Sequence, residues 1–316
     1  MDRISPTNDL AFKKVLASVE NIEILQGLIT DFYEIEITGL AINNPYSIAD
    51  YKEILDGAEF VQLRHTIKDI SATFKIPRVP AKVAEAAASA EKSDFISELQ
   101  VRKSRFFDER ALYYPFNRFC QNYNLAGNME KDASGRLNKY SSLRPVYALN
   151  VLGYTHFDDS DNALHIFELY DIKRQRRYRQ DLIKIGFFEL TKNAGLTANQ
   201  RHWLDYFNGC AVSDAAPDYI KRASHLIELV NLAEEEKMVV QALEKAEAIR
   251  IAEIDQGRFE GRLEGRLEGR LEGDLSRKVK IAISLLEDGF PLEMIKKHTE
   301  LSESEIQALR ANLTTT

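Results

Sequence analysis

Apolar positions in the first part of the chain recur at three- and four-residue intervals. In 8–18 (NDLAFKKVLAS) and 20–33 (ENIEILQGLITDFY) the Leu, Phe, Val and Ile residues fall at helical spacing, which predicts two helices. Thr7 or Asn8 is placed to cap the first of them. The period then changes. Residues 60–76 (FVQLRHTIKDISATFKI) alternate and are rich in β-branched and aromatic types, which predicts a strand, and 94–101 (DFISELQV) reads as the strand returning beside it. Residues 81–93 (AKVAEAAASAEKS) are Ala-rich with few apolar anchors and read as a mobile insertion between the two strands. Helical spacing resumes over 105–123, where Pro115 is expected to bend the helix or end its first part. Three further strands are predicted at 145–154, 163–172 and 181–190. The order helix–helix, strands, helix, strands points to an α/β or α+β core and excludes a simple bundle.

From about residue 217 the strand pattern stops, so the chain divides into a domain over 1–216 and a helical region over 217–316. Residues 217–256 are strongly helical. A four-residue repeat follows: Gly257-Arg-Phe-Glu, Gly261-Arg-Leu-Glu, Gly265-Arg-Leu-Glu and Gly269-Arg-Leu-Glu. At about 100° per residue on a helix, the four residue types form parallel stripes. The Phe259/Leu263/Leu267/Leu271 seam is then flanked by Arg on one side and Glu on the other. Within one helix this is unfavourable, because like charges recur at i,i+4 and each Gly costs about 1 kcal/mol relative to Ala. Between two parallel helices opposite flanks meet, so Arg faces Glu. The reading is a parallel homodimer through 257–273 and neighbouring helices; the alternative is a flexible polar linker. Residues 277–311 read as short helices, with Pro291 at a helix start and Ser302–Glu305 as a capping box. Their spacing resembles a helix-turn-helix. Glu303 and Glu305 at the start of the presumed reading helix would repel phosphates, which favours a packing or oligomerisation element.

Composition narrows the class. Cys120 and Cys210 are the only cysteines among 316 residues, which excludes a disulfide framework and a cysteine-built zinc site. With no leader-like apolar stretch at the start and no run of membrane-spanning length, the expectation is a soluble, reduced, cytoplasmic protein without a membrane partner. The net charge of −7 is uneven: −5 falls after residue 230 and −2 before it, so basic patches in the first part can face a polyanion. The six histidines form no metal-ligand pair, and no phosphate-binding glycine motif is present.

The informative acids are Asp69 on one strand and Glu98 on the next. Alternation puts Glu98 and Gln100 on one face and turns Leu99 into the core. If the strands pair, Asp69 lies beside Glu98, and two carboxylates suit a hard cation such as Mg²⁺ or Mn²⁺, with the Leu99 carbonyl as a further ligand. Such an ion polarises a phosphate and lowers the pKa of water, which Gln100 could orient. Acids at solvent-facing strand positions are the alternative. Five cations in seven residues (Lys173, Arg174, Arg176, Arg177, Arg179), and Arg102, Lys103 and Arg105 after the second strand, read as phosphate contacts or as solvated basic segments. Tyr113 and Tyr114 are expected in the core or site wall.

The opening Ser5-Pro-Thr-Asn-Asp-Leu-Ala-Phe-Lys-Lys14 resembles the start of the Rpn family, recombination-promoting nucleases that include transposases of the PD-(D/E)XK type. The order Asp69, Glu98-x-Gln100, Arg110-x-x-Tyr113-Tyr114 and Leu143-Arg-Pro-Val-Tyr147 is similar too, as are the EGRLEGRLEG run and the final segment. The resemblance implies an α/β, restriction-endonuclease-like mixed sheet flanked by helices, followed by an all-α C-terminal region. It also implies a metal-dependent DNA endonuclease in which Asp69 and Glu98 hold the metal. Gln100 takes the place of the usual Lys, as it often does in this family. Asp9 would be either an upstream acid of the site or a residue favoured at a helix start by the dipole. The spacing from Asp69 to Glu98 is longer than in the family, owing to the Ala-rich insertion. The competing expectation is a degenerate nuclease fold that binds DNA or a partner without cutting.

Overall fold

The structure, a computed structural model, describes residues 3–51, 70–77, 91–125, 129–178, 182–228 and 231–313. Helices α1 (Asp9–Leu16) and α2 (Ile22–Tyr33) open the chain, and the Asn8 side chain caps α1 by accepting from the Leu10 amide at 3.0 Å. Strands β1 (Thr38–Ile42), β2 (Ile70–Ile76) and β3 (Glu91–Gln100) follow, then α3 (Phe107–Gln121). After a small ribbon of β4 (Glu130–Lys131) and β5 (Leu137–Asn138) come β6 (Val146–Leu152) and β7 (Leu164–Phe167). A second ribbon, β8 (Tyr170–Asp171) and β9 (Arg176–Arg177), precedes β10 (Ile183–Glu189). Helices α4 (Ala198–Phe207), α5 (Asp218–Leu226), α6 (Glu234–Glu287), α7 (Leu292–Thr299) and α8 (Glu303–Leu313) complete the described chain.

Six strands form one sheet in the order β1-β2-β3-β6-β10-β7. Pairing is antiparallel from β1 to β3, parallel through β3, β6 and β10, and antiparallel again at β7. The central β6 (VYALNVL) is buried at every position, as a parallel strand covered on both faces must be. This is the mixed, helix-flanked sheet of the restriction-endonuclease-like class, followed by an all-α region.

One face carries α2, whose Tyr33 hydroxyl donates to the Ala148 carbonyl at 2.6 Å and whose ring meets Tyr147 edge-on. Asp31 joins this helix to α4 and α5. Its carboxylate accepts from Trp203 Nε1, Tyr219 Oη and Asn199 Nδ2, each at 2.8 Å, so a buried charge is fully hydrogen-bonded without a cation. Gly27 is required in the same layer, because a Cβ there would meet the Tyr219 ring at 2.5 Å. The opposite face carries α3, packed through Phe107 and Ala111 on Ala148, Leu152, Ile185 and Phe187.

Three sequence expectations change. Pro115 lies inside α3 and does not end it; its buried ring packs on the sheet side, where contact offsets the missing backbone donor. Residues 277–287, expected to begin the short terminal helices, are the end of α6, a single helix of 54 residues. Asp274 pairs with Arg277 at 2.6 Å and Lys278 at 3.3 Å along that helix and so does not cap a new one. The expected 94–101 strand begins earlier, at Glu91, and residues 78–90 of the presumed insertion lie outside the described residues.

The chain divides into two compact units, Met1–Ala242 and Leu243–Thr316. In the first, Glu236 near the start of α6 accepts from Lys14 Nζ at 2.6 Å, Tyr46 Oη at 2.7 Å and the Ala233 amide at 3.0 Å. Burial raises its pKa, but these three donors outweigh it and hold the carboxyl below the ordinary value. In the second, Ala282, Ile295, Leu301 and Ile306 join the end of α6 to α7 and α8, and the Ser302–Glu305 capping box is formed. The repeat is continuous helix. Its Phe259, Leu263, Leu267 and Leu271 are at least half exposed, and open space surrounds its glycines. No helix among the described residues is long and apolar enough to cross a membrane.

Candidate active site

Strand β3 alternates as its sequence requires. Phe95, Ser97 and Leu99 are buried against the α2 layer, while Asp94, Ile96, Glu98 and Gln100 face α3. Helix α3 presents Arg110, Tyr114 and Arg118 at four-residue intervals, hence along one face. The two periods match. Four residues of strand span about 13 Å, and eight residues of helix span about 12 Å. Two arginines on the helix therefore meet two carboxylates on the strand. Arg110 Nη2 lies 2.7 Å from Glu98 Oε1, and Arg118 Nη2 lies 2.9 Å from Asp94 Oδ1.

The two rungs differ in kind. Asp94 has no solvent exposure, and its carboxylate also accepts from Asn122 Nδ2 at 2.6 Å and Thr73 Oγ1 at 3.3 Å, with Arg144 at 3.9 Å. Its own amide donates to the Pro145 carbonyl at 2.8 Å, which fixes the segment leading into β6. Every direction around this carboxylate is used inside the protein, so Asp94 is an internal fastening of strand to helix. Glu98 instead lines a cleft between the sheet and α3, with Ser71, Ile96, Tyr114, Arg118 and Asn150. Gln100 sits beyond it on the same face. Its Oε1 accepts from Arg110 Nη2, and its Nε2 donates to the Arg102 carbonyl at 2.6 Å. Both ends of the Gln100 amide are thus engaged by the protein; they point its oxygen at Arg110.

The end of β3 is held from the next strand. The Gly153 amide donates to the Gln100 carbonyl at 3.0 Å, and a Cβ on Gly153 would come within 2.9 Å of the Val101 carbonyl oxygen. Tyr154 follows, and its hydroxyl is buried. Burial, partly opposed by Arg110 and reinforced by Asp108, Glu98 and Glu189, pushes that hydroxyl up to about 12. Nearby, Glu189 accepts from the amides of His156 and Phe157, the latter at 3.0 Å, and from Lys192 Nζ at 2.5 Å. His156 packs on Phe107 and joins Asp108 through Nε2 at 2.8 Å, the packing role its sequence context suggested.

The remaining predicted residues are placed as follows. Leu99 is fully buried, as alternation required. Asp69 lies outside the described residues, as does Arg179; among the described residues the β2–β3 pairing reaches Ile70↔Ser97. Asp9 is in the first turn of α1, and its carbonyl accepts from the Tyr51 hydroxyl at 3.2 Å. Arg102, Lys103 and Arg105 are exposed just after β3, with Lys103 over the Tyr154 ring at 5.9 Å. Lys173, Arg174, Arg176 and Arg177 are exposed around the β8–β9 turn, where Arg177 pairs with Glu168 at 2.7 Å. Tyr114 lines the cleft, but Tyr113 is largely exposed on the outer side of α3 and belongs to neither core nor site wall. Among the described residues no group of three or more His, Cys, Asp or Glu side chains converges as a metal site.

A family model for the PD-(D/E)XK nuclease family transposase matches residues 86–257, a span that contains β3, α3, β6 and β10. The chain belongs to this family. Comparison with curated proteins and with solved structures gives no match. The family name describes an acid followed two residues later by a lysine, and Glu98 and Gln100 stand at that spacing within the matched span. Its Arg110 and Asp94 contacts are features that motif spacing alone did not single out. The signal available was the pairing of acids four apart on a strand with arginines eight apart on the following helix.

Removing the buried rung leaves Arg118 and Arg144 without their shared carboxylate. Asp94→Ala is expected to lower stability by about 3 kcal/mol, read by urea denaturation. A loss below about 0.5 kcal/mol, the ordinary surface range, would contradict the fastening role.

Proposed function

We propose that the chain is a Mg²⁺-dependent DNA endonuclease, with Mn²⁺ able to substitute, that hydrolyses phosphodiester bonds in recombination, mobile-element activity or defence. The observation that carries the reading is Glu98, an oxygen donor on a cleft wall at the end of β3, in a chain of the nuclease family. The β2–β3 register supports its partner: Ile70 is paired with Ser97, and the next residues along the two strands are Asp69 and Glu98. Two carboxylates and a main-chain carbonyl at Leu99 are the hard oxygen donors that Mg²⁺ takes. Bound there, the ion supplies polarisation of the phosphodiester and a more acidic water. The chain's own residues hold the ligands in place: Arg110 orients Glu98, and the buried Asp94 rung keeps α3 against the sheet. The exposed cations Arg102, Lys103 and Arg105, and those of the β8–β9 turn, are proposed to contact DNA phosphates without reading sequence. The site belongs to a nuclease-like domain over 1–216, a soluble cytoplasmic protein on this reading, with 217–316 as its helical extension.

The helical extension is proposed to dimerise. The exposed Phe259/Leu263/Leu267/Leu271 stripe, flanked by Arg and Glu, is complementary to a parallel second copy. Two active sites would then be tethered together, which suits cutting both strands. Leu263→Glu/Leu267→Glu should convert a dimer to a monomer in sedimentation velocity; a wild type that sediments as a monomer at all concentrations would sink the dimer.

Supercoiled plasmid incubated with Mg²⁺, Mn²⁺ or EDTA tests the activity. Wild type should nick or linearise it only with a divalent ion, and Asp69→Ala and Glu98→Ala should each lose at least about a hundredfold in rate. Intact DNA binding with no cleavage under either ion would favour the non-cutting reading.

A further inference from the structure

The family name places a lysine two residues after the acid, and this chain has Gln100 there, an uncharged amide that cannot stabilise developing negative charge as an ammonium does. A cation nevertheless stands against Gln100 and the cleft-lining Glu98. Arg110 reaches across from α3 with Nη2 2.7 Å from Glu98 Oε1, and the same nitrogen donates to Gln100 Oε1. The Gln100 amide is locked in that orientation by its donation to the Arg102 carbonyl. Arg110 Nε is buried and finds no acceptor among the described residues, which leaves a charged donor beside Glu98. A lysine at position 100 would place two cations against one another. The pair is self-consistent only as an exchange, with the charge on the helix and the neutral orienting group on the strand.

We propose that Arg110 supplies the positive charge of the active site in place of the missing lysine, and that Gln100 is a positioning residue that aims the guanidinium. The assignment rests on the nuclease reading and deepens it. In the reaction Arg110 faces the phosphate group with the guanidinium donors that Glu98 and Gln100 do not take, while Glu98 serves the metal. A guanidinium suits this role, because it stays charged at any working pH and presents several donors in a fixed plane.

A charge exchange tests the proposal. Plasmid cleavage under Mg²⁺ is measured at saturating DNA for wild type, Arg110→Met, Gln100→Lys and the double variant, and Mn²⁺ binding to each is followed by calorimetry. Arg110→Met should lose about a hundredfold in kcat, with Mn²⁺ bound as tightly as by wild type or more tightly, because a competing cation has gone. Gln100→Lys alone should also lose activity through crowding of like charges. The double variant should regain most of the loss, which a purely structural role for Arg110 would not produce. If Arg110→Met does not give a cooperative thermal melt, Arg110→Gln replaces it with the same expectation, in both the single and the double variant. Wild-type cleavage with Arg110→Met equally active overturns the assignment and leaves the nuclease reading intact. A double variant as inactive as Arg110→Met, folded and binding Mn²⁺, also overturns it. A wild type that cuts nothing under either ion removes the nuclease reading and this assignment together.

Discussion

The contact on which the rest of the candidate site depends is the double ionic rung between β3 and α3. It exists because a strand advances roughly twice as far per residue as a helix. Acids four apart on β3 therefore meet arginines eight apart on α3. One rung, Asp94 with Arg118, has a carboxylate with no solvent exposure that also accepts from Asn122 and Thr73. The other, Glu98 with Arg110, opens on a cleft. The same geometry that attaches helix to sheet thus brings a carboxylate, a guanidinium and an amide together at the end of β3. A buried ion pair is weak as a source of net stability, but a missing partner is costly, so the sealed rung acts as a register pin for the open one.

The fold follows from this part of the chain with little left over. Parallel β6 requires cover on both faces; α2 supplies one layer and α3 the other. Tyr33 and Asp31 fasten the first layer by neutral or fully hydrogen-bonded contacts, whereas charge is concentrated in the second, on the side of the cleft. This asymmetry separates the stabilising face from the chemical one.

Much of this architecture was legible in the sequence. Hydrophobic alternation located β2, β3, β6 and β10, helical spacing located α1 to α3, and the parity of positions 98 to 100 put Glu98 and Gln100 outward with Leu99 inward. Pro115 does not end α3, because burial of its ring on the packed helix face offsets the lost backbone donor. Residues 277–287 read as a separate short helix, yet side-chain pairs at Asp274, Arg277 and Lys278 lie along one continuous helix. Asp94 escaped notice, and Arg110 entered only as part of a motif order, because their meaning lies in a contact between elements of different period. No spacing rule within a single element shows it. Asp69, the acid that completes the proposed metal pair, was assigned from motif order and strand pairing alone.

Family membership sets the class of chemistry, and the site residues decide whether this chain performs it. The most direct test of the central claim is anomalous diffraction from crystals of the protein grown with Mn²⁺ and duplex DNA. The account predicts a peak at the Glu98 carboxylate, with Asp69 as its second ligand and a phosphate of the duplex beside it. An ordered duplex with no anomalous peak at Glu98, and its carboxylate still paired with Arg110, would contradict it.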